Sequence, residues 1–429
     1  MKTTRIFILV MMFILFPYLV FSAENNRQEG RGDYLTIKIA VIGPGDELYF
    51  WWGHLGLIIQ DAFNGKTHFV DYGVFSFNSN DFFSDFALGR LWYTTSDSPA
   101  ELVFQRYIDD NRDITLYTLN LSTTQKEKIF NRTVQNLLPQ NKDYLYNHFS
   151  DNCVTRITNT LDEALGGQFY EKASQTPGRF TLRQEVRRYT EQAPLWDLLL
   201  NFLMGQVIDN QISVKEEMFL PDETGNFIEN FTYIDGNGKE QKLCSEVTKL
   251  YSAQGRPPAL DSPRSNIISS LVAGILIAAL FWFIQRLGNK FPVVGRKLFG
   301  IGNTLLGLVA GIPGSVLFFM EFFTNHDYTY QNSNILFANP LLLFAIPFGL
   351  MFAFGKNEKK LRFRMGVLRI LWTYVFLGAS LAIIIKISPV YHQDNWAQLA
   401  LILPVSIVLS KVSLWLRLLL KGFYKRGNT

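Results

Sequence analysis

The run Tyr144-Leu145-Tyr146-Asn147-His148-Phe149-Ser150-Asp151-Asn152-Cys153-Val154-Thr155-Arg156 leads into a helical pattern that starts at Asn152 or just after. The pattern predicts an amphipathic helix over Asn152–Leu165, with Asp151 or Asn152 as its cap. Cys153 then sits in the first turn. Unpaired N–H groups and positive potential at a helix start lower a thiol's pKa, which is how a nucleophilic cysteine is made. Such a cysteine needs a base, and the chain has only five histidines. His54 lies in Phe50-Trp51-Trp52-Gly53-His54-Leu55-Gly56-Leu57-Ile58-Ile59, flanked by glycines that leave room for a second side chain to approach. A Cys153–His54 pair would act as nucleophile and general base through an acyl-thioester.

The surrounding segment reads as mixed α and β. Strands are expected at Tyr34–Gly43, Leu48–Gln60, Thr67–Phe75 and Ile114–Leu119, and helices at Asp81–Leu88 and Thr123–Leu138. Asn64-Gly65 signals a two-residue hairpin turn. In that register His54 falls opposite Phe75, and Asp71 and Gly73 share its face. Asp71 is therefore the candidate to orient His54. A one-residue slip would put His68 there instead, so both stay open. Cys244 either packs or forms a disulfide with Cys153, and Ser245 is positioned to cap a short helix after it.

The N-terminus has a short basic region (Lys2, Arg5), an apolar run Ile6–Phe21 and small residues Ser22-Ala23. It is expected to be a signal peptide over residues 1–23, with an uncleaved anchor as the alternative. Five apolar segments follow late in the chain, near Ile267–Ile284, Phe299–Phe323, Ile335–Phe354, Gly366–Ile385 and Leu399–Leu419, each about the length that crosses a bilayer. Lys and Arg fill the connections after the first and third segments and follow the fifth; Thr324–Asn334 and Ser388–Ala397 contain none. The positive-inside rule puts the C-terminus in the cytoplasm and the region before Ile267 outside, in agreement with the export signal. The expected organisation is an exported catalytic domain at 24–254, a Pro/Gly-containing linker at 255–266, and an all-α five-helix membrane domain at 267–429.

Composition excludes other classes. With 15% aromatic residues the chain is not disordered, and two cysteines make no disulfide scaffold. The net charge of +4 follows from residues flanking the apolar runs, so it does not point to nucleic acid. His326, Asp327 and His392 cluster in the outer loops, but no ligand spacing supports a metal there.

With these residues in view, the chain resembles the Lnb-type lipoprotein N-acyltransferases of Bacteroidota. The match runs through Trp52-Gly53-His54, Asp71-Tyr72-Gly73-Val74-Phe75-Ser76-Phe77 and Asp151-Asn152-Cys153-Val154-Thr155-Arg156, then His326, Asn332, Asn334 and Asn339-Pro340-Leu341-Leu342-Leu343. Histidine before cysteine is the order of the permuted papain-like (NlpC-type) fold. The resemblance implies an α+β exported domain of that type and transfer of a fatty acyl group from a phospholipid to the α-amino group of a diacylglyceryl-cysteine lipoprotein. It implies Cys153, His54 and Asp71 as catalytic residues and Asn152, Trp52, Tyr72 and His326 as substrate contacts, with no cofactor. The expected location is the inner membrane, multi-pass, with the catalytic domain on the periplasmic side. A membrane-anchored Cys-His hydrolase and a non-enzymatic receptor are the alternatives.

Overall fold

The computed structural model describes residues 30–75, 82–190 and 192–410. The expected signal peptide lies outside them, as does the fifth apolar segment beyond residue 410. The described chain forms two compact units. The first takes 30–75, 92–176 and 213–256. The second takes 82–91, 177–212 and 257–410. The units cut across the boundary read from the sequence, because two stretches before Ile267 pack with the helical unit.

The first unit is built on an antiparallel sheet. Its strands are β1 (Leu35–Ile42), β2 (His54–Asp61), β3 (Lys66–Val74), β4 (Leu91–Pro99), β5 (Ile114–Leu119), β6 (Asp143–Tyr146) and β7 (Cys244–Tyr251), in the order β7-β5-β1-β2-β3-β4-β6. The helices that flank it include α1 (Ala100–Asp109), α2 (Thr123–Asn136) and α3 (Cys153–Ala164). The period of two divides the sheet's faces. Leu35, Ile37, Leu55, Leu57, Val70 and Tyr72 join α3 in one core, while Ala40, Ile42, Ile58 and Phe69 pack on α1 in the other. Each fully buried aliphatic side chain contributes about 1.5–3 kcal/mol. In α3 these are Val154, Ile157 and Leu161, all within 2% of full burial, and they hold the helix start against the sheet.

Two local expectations need correcting. The Asn64-Gly65 turn is not a two-residue hairpin. Asp61 pairs with Lys66, so the loop is four residues, with Asn64 Oδ1 accepting from the Lys66 N–H at 2.9 Å. The register therefore moves by two from the expected one. A shift of two keeps every side chain on its face, so Asp71 and Gly73 still share a face with His54. Leu48–Gln60 is not one strand either: Leu48–Phe50 is a 3-10 turn, and β2 begins at His54. Cys244 opens a strand, not the residue before a helix, because it pairs with Leu119 at the sheet edge. Both cysteines are free and buried.

The second unit holds four helical stretches long and apolar enough to cross a membrane: Ile267–Lys290 (α4), Pro292–Phe323 (α5), Ser333–Phe354 and Glu358–Ile387. The third is not continuous α-helix. Asn339 caps a 3-10 turn, accepting from the Leu341 N–H at 3.0 Å, and Pro340 follows, so regular helix starts only at Ala345 (α6, Ala345–Phe354). Glu358–Ile384 is α7, and the shorter apolar helix Trp396–Ser410 is α8. It covers the described part of the expected fifth segment. Small residues allow close packing: a Cβ on Gly274 of α4 would strike the Leu401 carbonyl of α8. Some buried polar groups pair across helices, as where Trp372 Nε1 donates to Asn303 Oδ1 at 2.8 Å. Arg183, 1% exposed, donates to both carboxylate oxygens of Asp209 at 2.7 and 2.9 Å.

Candidate active site

Cys153 is the first residue of α3, and a short built turn delivers it there. Asn147 Oδ1 accepts from the Phe149 and Ser150 N–H groups at 3.0 and 3.1 Å. Arg156 binds Asp151 with two hydrogen bonds of 2.5 and 2.6 Å, and its guanidinium lies 4.0 Å over the Tyr144 ring. Asn152 is the cap. Its Oδ1 accepts from the Val154 and Thr155 N–H groups, both at 2.9 Å, and Thr155 Oγ1 accepts from its backbone N–H at 2.8 Å. This box occupies the second and third N–H groups of the helix. The N–H of Cys153 itself has no acceptor among the described residues. An unpaired N–H backed by a helix dipole is the kind of group that favours a negative charge beside it.

His54 opens β2 and is reached through Gly53, whose φ is +78° and where a Cβ would meet the Ile42 carbonyl oxygen at 2.7 Å. At the strand's end the ring is not confined to one core. Its centroid lies 6.4 Å from that of Tyr107 on α1, while the charge of Cys153 also acts on it. His54 Nε2 is hydrogen-bonded to Asp71 Oδ1 at 2.9 Å, and the same oxygen accepts from the Gly73 N–H at 2.6 Å. A Cβ on Gly73 would sit 2.6 Å from His54 Cε1, so only glycine lets β3 come this close to the imidazole. With Nε2 on Asp71, Nδ1 is the nitrogen left to exchange a proton.

The electrostatics favour a charged pair. Burial alone would lower the His54 pKa, but the charges of Asp71, Tyr107 and Cys153 outweigh it and hold the imidazole well above its ordinary value. Burial alone would raise Asp71; the His54 charge and the hydrogen bonds from His54 and Gly73 hold its carboxyl below the usual range. Burial, then the Cys153 charge, raises the phenols of Tyr93 and Tyr144, so both stay neutral beside the thiol. The Tyr93 ring stacks on Tyr146 at 4.1 Å.

The residues expected to contact substrate divide. Tyr72 is 1% exposed in the α3-side core. Its phenol accepts from Asn136 Nδ2 at 2.9 Å, so its side chain offers no surface to a substrate and packs. Asn152 is saturated: besides the capping bonds, its Nδ2 donates to the His148 and Phe219 carbonyls at 2.8 and 3.1 Å. It builds the helix start and has no group left for a ligand. Trp52 differs, since its buried Nε1 has no hydrogen-bond partner among the described residues. His326 belongs to the second unit, where its backbone closes over Gly89 and its Nδ1 lies 3.0 Å from Tyr328 Oη. Burial pushes its pKa down, so it is a neutral histidine. His68 faces away from His54 and pairs with Asp97 at 2.9 Å. Asp71, not His68, is therefore the partner that the register gives His54.

Sequence reading missed Tyr93, Tyr107 and Arg112. Alternation in Leu91-Trp92-Tyr93-Thr94-Thr95 is a strand signal that could have placed Tyr93. Arg112 sits in Asn111-Arg112-Asp113, which looks like a solvated loop. It is 1% exposed, donates from Nε to the Gly43 carbonyl at 2.9 Å, and lies over Phe50 and Tyr107 at 4.5 and 4.9 Å. No local signal announces that burial.

Two family models match the chain. The Lnb N-terminal periplasmic domain covers residues 23–189, and the Lnb transmembrane domain covers residues 264–391. No curated protein and no solved structure matches it.

Proposed function

The chain belongs to the Lnb family, with both its periplasmic and its transmembrane domain, and from that footing we propose that it is a lipoprotein N-acyltransferase working through a Cys153 thioester. The Cys153 sulfur attacks an ester carbonyl of a membrane phospholipid. The carbonyl oxygen takes up charge at the free N–H of the α3 start, the C–O bond breaks, and the His54 imidazolium gives its proton to the departing lysophospholipid oxygen. The α-amino group of a diacylglyceryl-cysteine lipoprotein then attacks the thioester. His54, now neutral, takes the amine's proton, the C–S bond breaks, and the thiolate returns. Asp71 holds Nε2 throughout, which fixes the tautomer and leaves Nδ1 for both transfers.

We read the first unit as a permuted papain-like fold: an antiparallel sheet, a helix headed by the cysteine, and a histidine earlier in the chain on a central strand. Both substrates are lipids, so a site tethered at the outer face of the inner membrane meets them within the bilayer plane. The observation that carries the proposal is the His54–Asp71 bond of 2.9 Å in the same unit as a cysteine that is the first residue of α3. Mass spectrometry of lipoprotein N-termini tests it. Cells expressing the chain should show an added N-acyl mass that is lost with Cys153→Ala. An unchanged acyl mass in that variant overturns the assignment.

A further inference from the structure

The helix Pro194–Leu203 in the second unit is built inside out. It falls between the two family matches, which stop at residue 189 and resume at 264. Its polar residues Asp197 and Asn201 are only 2% and 6% exposed, while Leu195 and Trp196 are 66% and 46% exposed. The helical period puts Leu199 and Leu203 on the Leu195–Trp196 side, and Asn201 one turn on from Asp197. The polar side is satisfied within the protein. Asp197 accepts from Asn266 Nδ2 at 2.7 Å, from Thr190 Oγ1 and Asn201 Nδ2 at 2.9 Å, and from Arg187 Nε at 3.3 Å. The Asn201 carbonyl accepts from Arg183 Nη1 at 2.9 Å. A helix at a water surface turns its apolar stripe inward and its polar face outward; this one does the opposite.

Hydrogen bonds fix both ends of this helix at the level where the membrane-length helices end. α4 and α5 are joined through Phe291 alone and pack antiparallel, with the Phe281 and Phe299 rings 5.8 Å apart. The start of α4 and the end of α5 therefore lie at the same end of the bundle. Asn266, which holds Asp197, directly precedes α4, and the outward apolar surface of α4 begins beside it at Ile267 and Ile268. At the other end, Asn332 Nδ2 donates to the Phe202 and Leu203 carbonyls at 2.9 and 3.0 Å. The neighbouring Gln331 N–H donates to Glu321 Oε1 at 2.8 Å, so this loop folds back onto the last turn of α5, where Phe322 and Phe323 are exposed. The short helix Phe82–Leu88 reaches the same level. The Asn325 N–H, just past α5, donates to the Leu88 carbonyl at 2.8 Å, and Phe83 and Phe86 are exposed.

We infer that Pro194–Leu203 is an interfacial helix that lies in the bilayer surface, with Leu195, Trp196, Leu199 and Leu203 among lipid acyl chains and Asp197 and Asn201 facing the protein. Its ten residues make it about 15 Å long, half the roughly 30 Å hydrocarbon core, so it lies along the membrane and does not cross it. A tryptophan on the outward face suits that layer. Lipid, and not another protein, is the occupant because the face continues the outward apolar surface of α4, which starts within one hydrogen bond of Asp197. This placement needs only the membrane helices and not acyl transfer, so it stands or falls apart from the proposed reaction.

The test places single spin labels on the full-length protein in nanodiscs of phosphatidylethanolamine and phosphatidylglycerol, after Cys153→Ala and Cys244→Ala remove the native thiols. Labels go on Leu195→Cys and Leu199→Cys. Leu276→Cys, exposed on α4, is the lipid reference, and Asn237→Cys, exposed in the turn after Thr232–Ile234, is the water reference. Collision with oxygen, which concentrates in lipid, is compared with collision with a water-soluble nickel chelate. The Leu195 and Leu199 labels should favour oxygen, as the Leu276 label does, and read a depth of about 5–10 Å. The Asn237 label should favour nickel. Labels at Leu195 and Leu199 that favour nickel would leave the face in water. Labels that collide with neither would mean that a second copy or another protein covers it. Either result overturns the inference, and each label alone is enough to decide it.

Discussion

The same three strands carry two histidine–aspartate pairs of the same length. His54 meets Asp71 at 2.9 Å across β2 and β3, and His68 meets Asp97 at 2.9 Å across β3 and β4. Both imidazoles titrate above their ordinary value, the second chiefly through its hydrogen bond to Asp97. The difference lies in what surrounds them. The His54 pair has side chains 12% and 18% exposed, lies against Tyr107, and feels the charge of a cysteine at a helix start. The His68 pair is more open, at 28% and 24%, and no thiol acts on it. An oriented histidine is thus a common structural motif. It becomes a candidate base when a nucleophile shares its field.

The largest effect that separates the pairs is expected at His54 itself. His54→Ala should lower single-turnover thioester formation about 10²–10⁴-fold, leaving a residue of activity from the helix-start thiol, while the protein stays folded by circular dichroism. Rates within tenfold of the parent would dissolve the distinction.

Asp71→Asn comes next, at about 10²–10⁴-fold, and it adds a pH signature. His54 is raised in the folded protein, so its contribution to stability is complete below about pH 6.5 and fades as pH rises through the raised value. Asp71 is depressed, so its share is present above about pH 3.9 and fades only in acid. The wild type should therefore lose melting temperature on the alkaline side. The acylation rate should fall there too, as His54 loses the proton the leaving oxygen needs. In Asp71→Asn that alkaline limb should move to lower pH. A limb that stays in place would remove Asp71 from the orienting role.

Gly73→Ala probes the close approach. The new Cβ, 2.6 Å from His54 Cε1, must displace the ring, and a displacement of about 1 Å costs on the order of 10²-fold in rate. Melting should change far less than activity, and equal loss of both would mean that Gly73 serves the strand alone. The smallest effect belongs to the other pair: His68→Ala should leave acylation within twofold and cost about 0.2–1 kcal/mol, the range of a partly exposed pair, read by urea denaturation.

How far the sequence spoke depends on whether the relevant signal was local. Ile114–Leu119 and the α3 start were legible because alternation and Asn152 are written within a few residues. The His54–Asp71 face was legible although the turn was misread, because a register shift of two preserves parity. The family resemblance implies Tyr72 and Asn152 as substrate contacts; their burial and hydrogen bonds involve Asn136 and Phe219, distant in the chain, so no local signal announces them. The incorporation of 177–212 into the helical unit was illegible for the same reason. Its anchors, Asn332 and Asn334 donating to the Phe202 carbonyl at 2.9 Å or to its neighbour Leu203 at 3.0 Å, lie about 130 residues away.

The central claim is that Cys153 carries the acyl group between two lipids. Purified protein incubated with acyl-labelled phospholipid alone should acquire a hydroxylamine-labile label that maps to Cys153 and is absent from Cys153→Ala. Adding a diacylglyceryl-peptide with a free amino terminus should discharge that label as amide. A label that leaves as free fatty acid at the same rate with and without the peptide would contradict acyl transfer and make the chain a hydrolase.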